Sequence, residues 1–499
     1  MVYKMNTFKR KSLHAAVLAG LGAVGFAGTA SAVHVAQDGL GSVLLYPYFT
    51  VRADGGGNST AYYDTLISVV NTTTSFKAVK VRFMEGKRSA EVLDFNLFLS
   101  PRDVWTGAVT RTSDGARLVS SDRSCVVPTT LFSTDAANTL NHFKNFIYAG
   151  TPSDGGGTTL DRAREGHFEV IEMAEFTNTT ATAAALHNSA GTPANCAFFQ
   201  ANDSVPANYG LIPPAGGLSG GASLVNVQAG SDYSYDAVAL ANWSNSAVYG
   251  RAGDTLPNLG SGTVPTSTVF RADGSVVTST WTNGLNAVSA ALTAQNVINE
   301  FVLETGTSSG TDWVVTFPTK SIQNGYVRVG TGNLVGPFNA NFSNGQSCDV
   351  FGFQFWNREE QTPGVVNVVL PSPEPIVAPT FNSFCYETNV LTFANSNLLG
   401  STNLYNFDPT VAALNPTNRT GWGNISFTQA PTATQTSLQR LQTATATING
   451  AAAAGGVTHI GLPVIGFAVQ DFSNGNVGGV LSNYGGLFSH KYVRNITNP

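Results

Sequence analysis

The sequence predicts a mainly β protein, built as one large or two packed β-sandwich domains with a few short helices and long loop insertions. Three observations lead to this class. Glycine (52) and proline (22) are frequent among the 499 residues, which suits short strands joined by tight turns. Asn-Gly and Asp-Gly pairs, which favour hairpin turns, recur along the chain. Many segments also alternate apolar and polar residues, which is the period of a half-buried strand.

The strands are predicted from this alternation and from runs of apolar and aromatic residues. In Phe76–Phe83, Val79 and Val81 fall on one face while Lys80 and Arg82 fall on the other. The other expected strands are Ser42–Val51, Thr60–Thr72, Leu93–Leu99, His167–Phe176, Ser223–Val227, Asp312–Phe317, Asp349–Trp356, Val365–Leu370, Cys385–Phe393, Asn424–Phe427, Leu462–Phe472 and a hairpin over Ser267–Thr280.

Two helices are expected among the strands. Ser133 is placed to cap a helix over Asp135–Tyr148. A second helix is predicted over Leu285–Leu303, because five apolar residues recur there at helical spacing. These residues are Leu285, Val288, Leu292, Ile298 and Val302.

Residues 1–32 have the features of a Sec-type signal peptide. Basic residues precede an uncharged run from Leu13 to Ala30, and Ala30-Ser31-Ala32 forms a small-x-small cleavage site. We therefore expect export to the extracellular space or the cell surface, with the periplasm as an alternative. No later run of about twenty apolar residues predicts a transmembrane helix. The mature chain is divided provisionally into an N-terminal β-sandwich region with insertions (33–280) and a C-terminal β-rich region (281–499), with a single domain as the alternative.

The four cysteines indicate two disulfides, because the signal peptide directs the chain to an oxidising compartment. Cys125, Cys196, Cys348 and Cys385 allow three connectivities. We favour Cys125–Cys196 and Cys348–Cys385, since each pair then stays within one half of the chain. None of these cysteines has the C-x-x-C spacing of a zinc site.

Only 11% of the residues are charged, against roughly a quarter in an average soluble protein. The net charge is −5 and forms no basic stripe, which argues against a nucleic-acid partner. Low charge with abundant Gly and Asn also suits an outer-membrane β-barrel, which is kept as an alternative. The uneven strands, the two expected helices and the four cysteines weigh against it.

Several segments resemble one family of large secreted proteins of environmental proteobacteria. These are VVNTT (69–73), KAVKVRFMEG (77–86), VLDFNLFLSPRDVW (92–105), EGHFEVIEMAE (165–175), TDWVVTFPTK (311–320) and GLPVIGFAVQ (461–470). The family is an uncharacterised one of β-rich cell-surface proteins with no assigned chemistry. The resemblance implies location and a β-rich build, and it transfers no catalytic residue.

Two carboxylates are weak catalytic candidates. In His167–Phe176, Glu172 shares a strand face with Phe168, Val170 and Phe176, while Glu169 lies on the other face. A carboxylate on an apolar face has a raised pKa and can serve as the acid in glycoside cleavage, given a second carboxylate nearby, such as Glu359 or Glu360. The alternatives for Glu172 are a buried structural residue, hydrogen-bonded to backbone or paired with an arginine, or a bulge that turns it to water.

Metal and cofactor sites are not indicated. The histidines are scattered singly, with no His-x-His or HExxH spacing. Calcium is retained as a weak possibility through Asp232, Asp236 and the Asp54–Asn58 loop, although turn chemistry explains these residues equally well. Among the six tryptophans, which can stack on sugars, Trp313 is expected in the core.

The first functional hypothesis is a secreted or surface-associated structural or assembly protein without catalytic activity, with copies of itself or cell-surface components as partners. Its sharper form uses the N-terminal apolar strand as a donor strand for a neighbouring copy, through Leu44, Leu45, Tyr46 and Tyr48. The alternative is that this strand closes its own sheet. The second hypothesis is a secreted glycan-binding or glycan-hydrolysing protein that uses Glu172 and exposed aromatic residues.

Overall fold

The computed structural model describes residues 32–498 with gaps at 55–59, 151–153, 325–336, 339–341, 343–344, 363–381, 412–418 and 428–438. The predicted signal peptide, apart from Ala32, and the predicted strand Val365–Leu370 lie outside the described residues. The fold is mainly β, with 47% strand and 12% helix, and this confirms the predicted class.

The structure contains a counterpart of every predicted strand within the described residues. The strands of the N-terminal part are β1 (His34–Val35), β2 (Val43–Thr50), β3 (Asp64–Asn71), β4 (Lys77–Glu85), β5 (Glu91–Leu99), β6 (Val104–Arg111), β7 (Ala116–Val119), β8 (Cys125–Val127), β9 (Glu165–Phe176), β10 (Leu211–Ile212), β11 (Leu218–Asn226), β12 (Ser231–Asp236), β13 (Val238–Ala241), β14 (Thr266–Phe270) and β15 (Val276–Thr280).

The remaining strands and the short helices complete the described elements. The strands are β16 (Thr293–Ala294), β17 (Asn296–Val302), β18 (Ser309–Thr316), β19 (Asp349–Asn357), β20 (Asn382–Phe384), β21 (Thr388–Phe393), β22 (Leu404–Phe407), β23 (Thr420–Ser426), β24 (Arg440–Thr443), β25 (Thr445–Ile448), β26 (Ala451–Ala452), β27 (Val457–Ile460), β28 (Leu462–Pro463), β29 (Ile465–Val477), β30 (Val480–Ser489), β31 (Lys491–Val493) and β32 (Asn495–Thr497). The helices are α1 (Phe146–Ala149), α2 (Thr179–Ala185), α3 (Ala197–Asn202), α4 (Gly284–Leu292) and α5 (Lys320–Asn324).

The N-terminal part forms a first sandwich. An eight-stranded sheet, in the order β1-β13-β2-β9-β4-β5-β8 with β10 beside β9, shares one core with the five-stranded sheet β12-β11-β3-β6-β7. Apolar and aromatic residues at alternate positions fill the space between the sheets, and Tyr46 stacks on Phe168 with 4.1 Å between ring centroids. The other face of the eight-stranded sheet is also covered, because α2 and α3 pack against β4, β5 and β9.

The C-terminal part forms a second sandwich from the sheets β20-β19-β23-β17-β31 and β22-β21-β18-β29-β30. Its core contains Trp313 and Val315 of β18 together with Phe301, Phe355 and Phe393. Trp313 is fully buried, which confirms its expected place in the core.

The sheet containing β18 contributes to both cores. Val314, between Trp313 and Val315, points the other way and joins the core of the first sandwich with Val390 and Phe467. Tyr235 of β12 stacks on Phe467 at 4.8 Å between ring centroids. The first core therefore includes residues from beyond position 280. The division at that position stays a prediction.

Both helix predictions need correction. Only α1 forms in the segment predicted as Asp135–Tyr148, because Asn138 uses its side-chain amide to bond the carbonyls of Thr130 and Leu131 in a turn. The helix predicted to end at Leu303 ends at Leu292, and β17 follows it. β17 buries Val297 and Phe301 at strand spacing and pairs with β23.

The structure forms both favoured disulfides. Cys125 of β8 is bonded to Cys196, which precedes α3. Cys348, at the start of β19, is bonded to Cys385, which follows β20. The expected pairing is confirmed.

Candidate functional site

Glu172 lies beside an irregularity in the centre of β9. The β4–β9 register shifts between Ala78 and Val79, which pair with Ala174 and Glu172, so Met173 is an extra residue. This bulge moves Phe176 to the opposite face from Phe168, which corrects the prediction that Phe168, Glu172 and Phe176 share one face.

The carboxylate of Glu172 is fully buried and fully engaged. Lys77 Nζ donates to its Oε1 at 2.6 Å, and the backbone N–H of Gly216 donates to its Oε2 at 2.8 Å. Glu175 shares the same ammonium at 3.1 Å. Burial raises the pKa of Glu172 to about 7, against the opposing effect of Lys77. This arrangement matches the structural alternative for Glu172, with a lysine in place of the arginine.

Glu169 lies on the opposite face of β9 and is also held in an ion pair. Arg82 donates to Glu169 and, through Nε, to Glu91 Oε2 at 2.7 Å. Burial raises the pKa of Glu169, and the attraction of Arg82 partly opposes this. Glu359 and Glu360 lie far along the chain, in the exposed turn after β19. The structure thus places the proposed second carboxylates in the other sandwich.

The proposed donor strand is an interior strand of its own chain. β2 pairs with β13 on one side and β9 on the other, and all eight of its residues are buried. Leu44, Tyr46 and Tyr48 belong to the core between the sheets, while Leu45 packs on the covered outer face. β2 therefore lies inside the sheet of its own chain, which is the arrangement of the alternative interpretation.

Two of the residues considered for calcium, Asp232 and Asp236, lie on the edge strand β12 of the first sandwich. Asp232 and Asp236 alternate with Ser234 on β12, and the Ser234 hydroxyl donates to Asp232 at 3.2 Å. Residues 55–59 of the proposed loop lie outside the described part. Within the described ranges, no group of three or more His, Cys, Asp or Glu side chains is placed to hold a metal ion.

Among the helices of the described residues, none has the length and apolar character needed to span a membrane.

A groove of about 880 Å³ runs along the outward face of the five-stranded sheet of the first sandwich. Small residues and hydroxyls form its floor and walls, among them Ser68, Thr106, Ser223, Ser234 and Gly221. Leu66 is the large apolar residue exposed there. Neither Glu169 nor Glu172 reaches this groove. Its lining offers hydroxyl groups and the carboxylate of Asp236 for hydrogen bonding.

A cluster of buried ion pairs around Arg162 was not predicted from the sequence. Its guanidinium donates twice to Glu85, at 2.7 and 2.9 Å, and twice to Asp154, at 2.8 and 2.7 Å. The central guanidinium carbon of Arg162 also lies 4.5 Å from the ring centroid of Tyr148. The attraction of Arg162 and its hydrogen bonds lower the pKa of Asp154 despite burial. Charged residues give no periodic signal that distinguishes a buried pair from a solvated one.

Titration of Glu172 gives a test of its burial. Its pKa rises on folding from about 4.5 to about 7, so the folded state binds the extra proton between these values. The contribution of Glu172 to the free energy of unfolding is therefore fully present below pH 4.5 and falls as the pH rises toward 7. Glu172→Gln removes this contribution, and its free energy of unfolding changes relative to the wild type by about 1.4 kcal/mol per pH unit between pH 5 and 6.5.

Urea denaturation at pH 5, 5.75 and 6.5 gives the free energy of unfolding at each pH, and the slope of this free energy against pH is compared between the two proteins. Glu300→Gln, at an exposed position, serves as the control and follows the wild type. Equal slopes for the wild type and Glu172→Gln would contradict the raised pKa.

Compared with protein-family models, with curated proteins and with solved structures, the chain matches none.

Proposed function

We propose that this chain is an exported structural or assembly protein of the cell surface, without catalytic activity. The observation that carries the proposal is the state of the candidate acids. Glu172 is held by Lys77 and a backbone N–H, and Glu169 is held by Arg82. A general acid has to reach the proton acceptor on its substrate, and both carboxylates are buried beneath other elements.

Export is supported by three separate features. Residues 1–32 carry the signal-peptide pattern, the two disulfides suit an oxidising compartment, and the quoted segments resemble a family of secreted surface proteins. Cell fractionation followed by non-reducing electrophoresis tests this part. A reduced protein confined to the cytoplasm would overturn it.

Self-association is supported by the surface composition. The chain has few charges to keep copies apart, and hydroxyls line the outward groove of the first sandwich. Since β2 is interior, assembly would use this outward surface in place of strand donation. Light scattering of the purified mature chain reports the oligomer directly, and a monomer at every concentration would remove the assembly part of the proposal.

The absence of catalysis is tested by a polysaccharide hydrolysis screen of the wild type beside Glu172→Gln. We expect no reducing sugar above background from either protein. Sugar release by the wild type that Glu172→Gln abolishes would establish a glycoside hydrolase and overturn the proposal. Because Glu172→Gln removes the charge that faces the buried Lys77, thermal unfolding verifies that the variant is folded before the comparison is made.

A further inference from the structure

Two tryptophans stand out by their exposure. Trp105, Trp243, Trp281 and Trp313 are exposed by 8% or less. Trp422 of β23 is 39% exposed, and Trp356 of β19 is half-buried. Indole rings contribute more to stability in a core than almost any other side chain, so a surface pair calls for a separate explanation.

The two indoles form one stacked unit on the outward face of the sheet β20-β19-β23-β17-β31 in the second sandwich. Trp356 and Trp422 are directly opposite each other in the β19–β23 ladder. Their ring centroids lie 4.1 Å apart and their planes differ by 13°. β20 pairs with β19 only at residues 349–351, so no strand of the described residues lies beside Trp356 on that side of the sheet.

The strands that carry the stack pack against the core of the second sandwich with their opposite face. Phe353 and Phe355 of β19 pack inward, and Gly423 faces them from β23. A Cβ at Gly423 would lie 2.5 Å from the ring of Phe353, so glycine permits the close packing at this position. The rings of Trp356 and Trp422 are therefore presented by a rigid sheet and not by a loop.

Polar side chains lie beside the stack on the same face of the sheet. Gln354 and Asn424 are opposite each other one step along the ladder, and Glu300 is opposite Trp422 on β17. Asn296 donates to the amide oxygen of Asn424 at 2.9 Å, which orients that side chain. Amide and carboxylate groups beside an aromatic surface are the groups that recognise hydroxyls, which donate and accept at once.

We propose that this face binds a neutral polysaccharide by stacking a pyranose ring on an outer face of the Trp356–Trp422 stack, the face that the other indole does not cover, with hydroxyls bonded to Gln354, Asn424 and Glu300. The apolar C–H face of a pyranose matches an indole surface, and its rim of hydroxyls matches the polar surroundings. A phosphate-bearing ligand is disfavoured by Glu300 and by the net charge of −5. A second copy of the chain would find two rings within a polar face, where stable interfaces need a larger apolar centre. The inference adds a ligand to the proposed surface protein and needs no catalysis.

Retention of the purified mature chain on insoluble cellulose, chitin and starch tests the proposal, with tryptophan fluorescence titrations using the matching hexasaccharides. We expect retention on at least one of them, insensitive to 1 M NaCl, and a change in fluorescence on titration. Trp356→Ala and Trp422→Ala weaken binding by about tenfold, the order of magnitude known for losing one aromatic side chain that stacks on a nucleobase. Trp422→Phe keeps part of the affinity, because a smaller ring still stacks.

Tyr484→Ala is the matched control, since Tyr484 is 63% exposed on the other sheet of the same sandwich, and its affinity stays at the wild-type value. Thermal unfolding verifies that each variant is folded. No retention of the wild type on any of the three polymers overturns the proposal. If both alanine variants bind as tightly as the wild type, or if binding is lost in 1 M NaCl, the proposal is overturned as well. Sugar release in the same samples would overturn only the non-catalytic function proposed above.

Discussion

Replacing Cys125 and Cys196 together with alanine lowers the free energy of unfolding by about 4 kcal/mol. The bond joins residues 71 positions apart, so its loss frees a long loop in the unfolded chain. It also fastens α3 to β8, where Phe199 stacks on Phe98 with 4.0 Å between ring centroids. Urea denaturation of the oxidised wild type and the double variant measures the loss.

The second disulfide provides the comparison for this experiment. Cys348 and Cys385 are 37 positions apart, so the same chain-entropy argument gives a loss smaller by about 0.6 kcal/mol. Reduction of the wild type should reproduce both losses together. A change below about 1 kcal/mol in the Cys125–Cys196 variant would contradict the assigned role of that bond.

Replacing Arg162 with methionine lowers the free energy of unfolding by about 3 to 5 kcal/mol, because two buried carboxylates lose their main partner. Glu85 retains backbone N–H donors from Lys87, Arg88 and Ala90, and Asp154 retains Arg88. These remaining contacts leave the net buried charge negative. Thermal and urea unfolding at pH 7 measure the effect.

An exposed pair supplies the control for this variant. Arg271 lies 3.7 Å from Asp273 on the surface, and Arg271→Ala changes the stability by less than about 1 kcal/mol. Equal losses for the two variants would show that burial does not strengthen the dependence on Arg162. Part of the loss in Arg162→Met should disappear at low pH, where Asp154, whose pKa Arg162 lowers, takes up a proton.

The fold class could be predicted from sequence because strand alternation is a local property. β4 illustrates this, since Val79 and Val81 lie in the core as predicted. The predicted helix beyond Leu292 fails for a non-local reason. Its apolar residues fit both helical and strand spacing, and pairing of β17 with β23 decides between them.

The candidate sites show the same limit more sharply. Glu172 was found on an apolar face from its position in β9, but its partner Lys77 is 95 residues away. Alternation within β19 separates Trp356 and Gln354 from the inward Phe353 and Phe355. It carries no information that Trp422 lies opposite Trp356, because that register is set by the packing of the whole sheet.

The sheet shared by the two sandwiches determines when the first core can form. Val314, Val390 and Phe467 complete that core, although its other strands end before residue 242. A chain that emerges from its N-terminus first must therefore keep the apolar side of β12 open until Phe467 has arrived. Contacts between residues so far apart in the chain form slowly, and apolar surface stays exposed to solvent until they form. The first core therefore cannot be completed as an independent folding unit before the C-terminal strands are present.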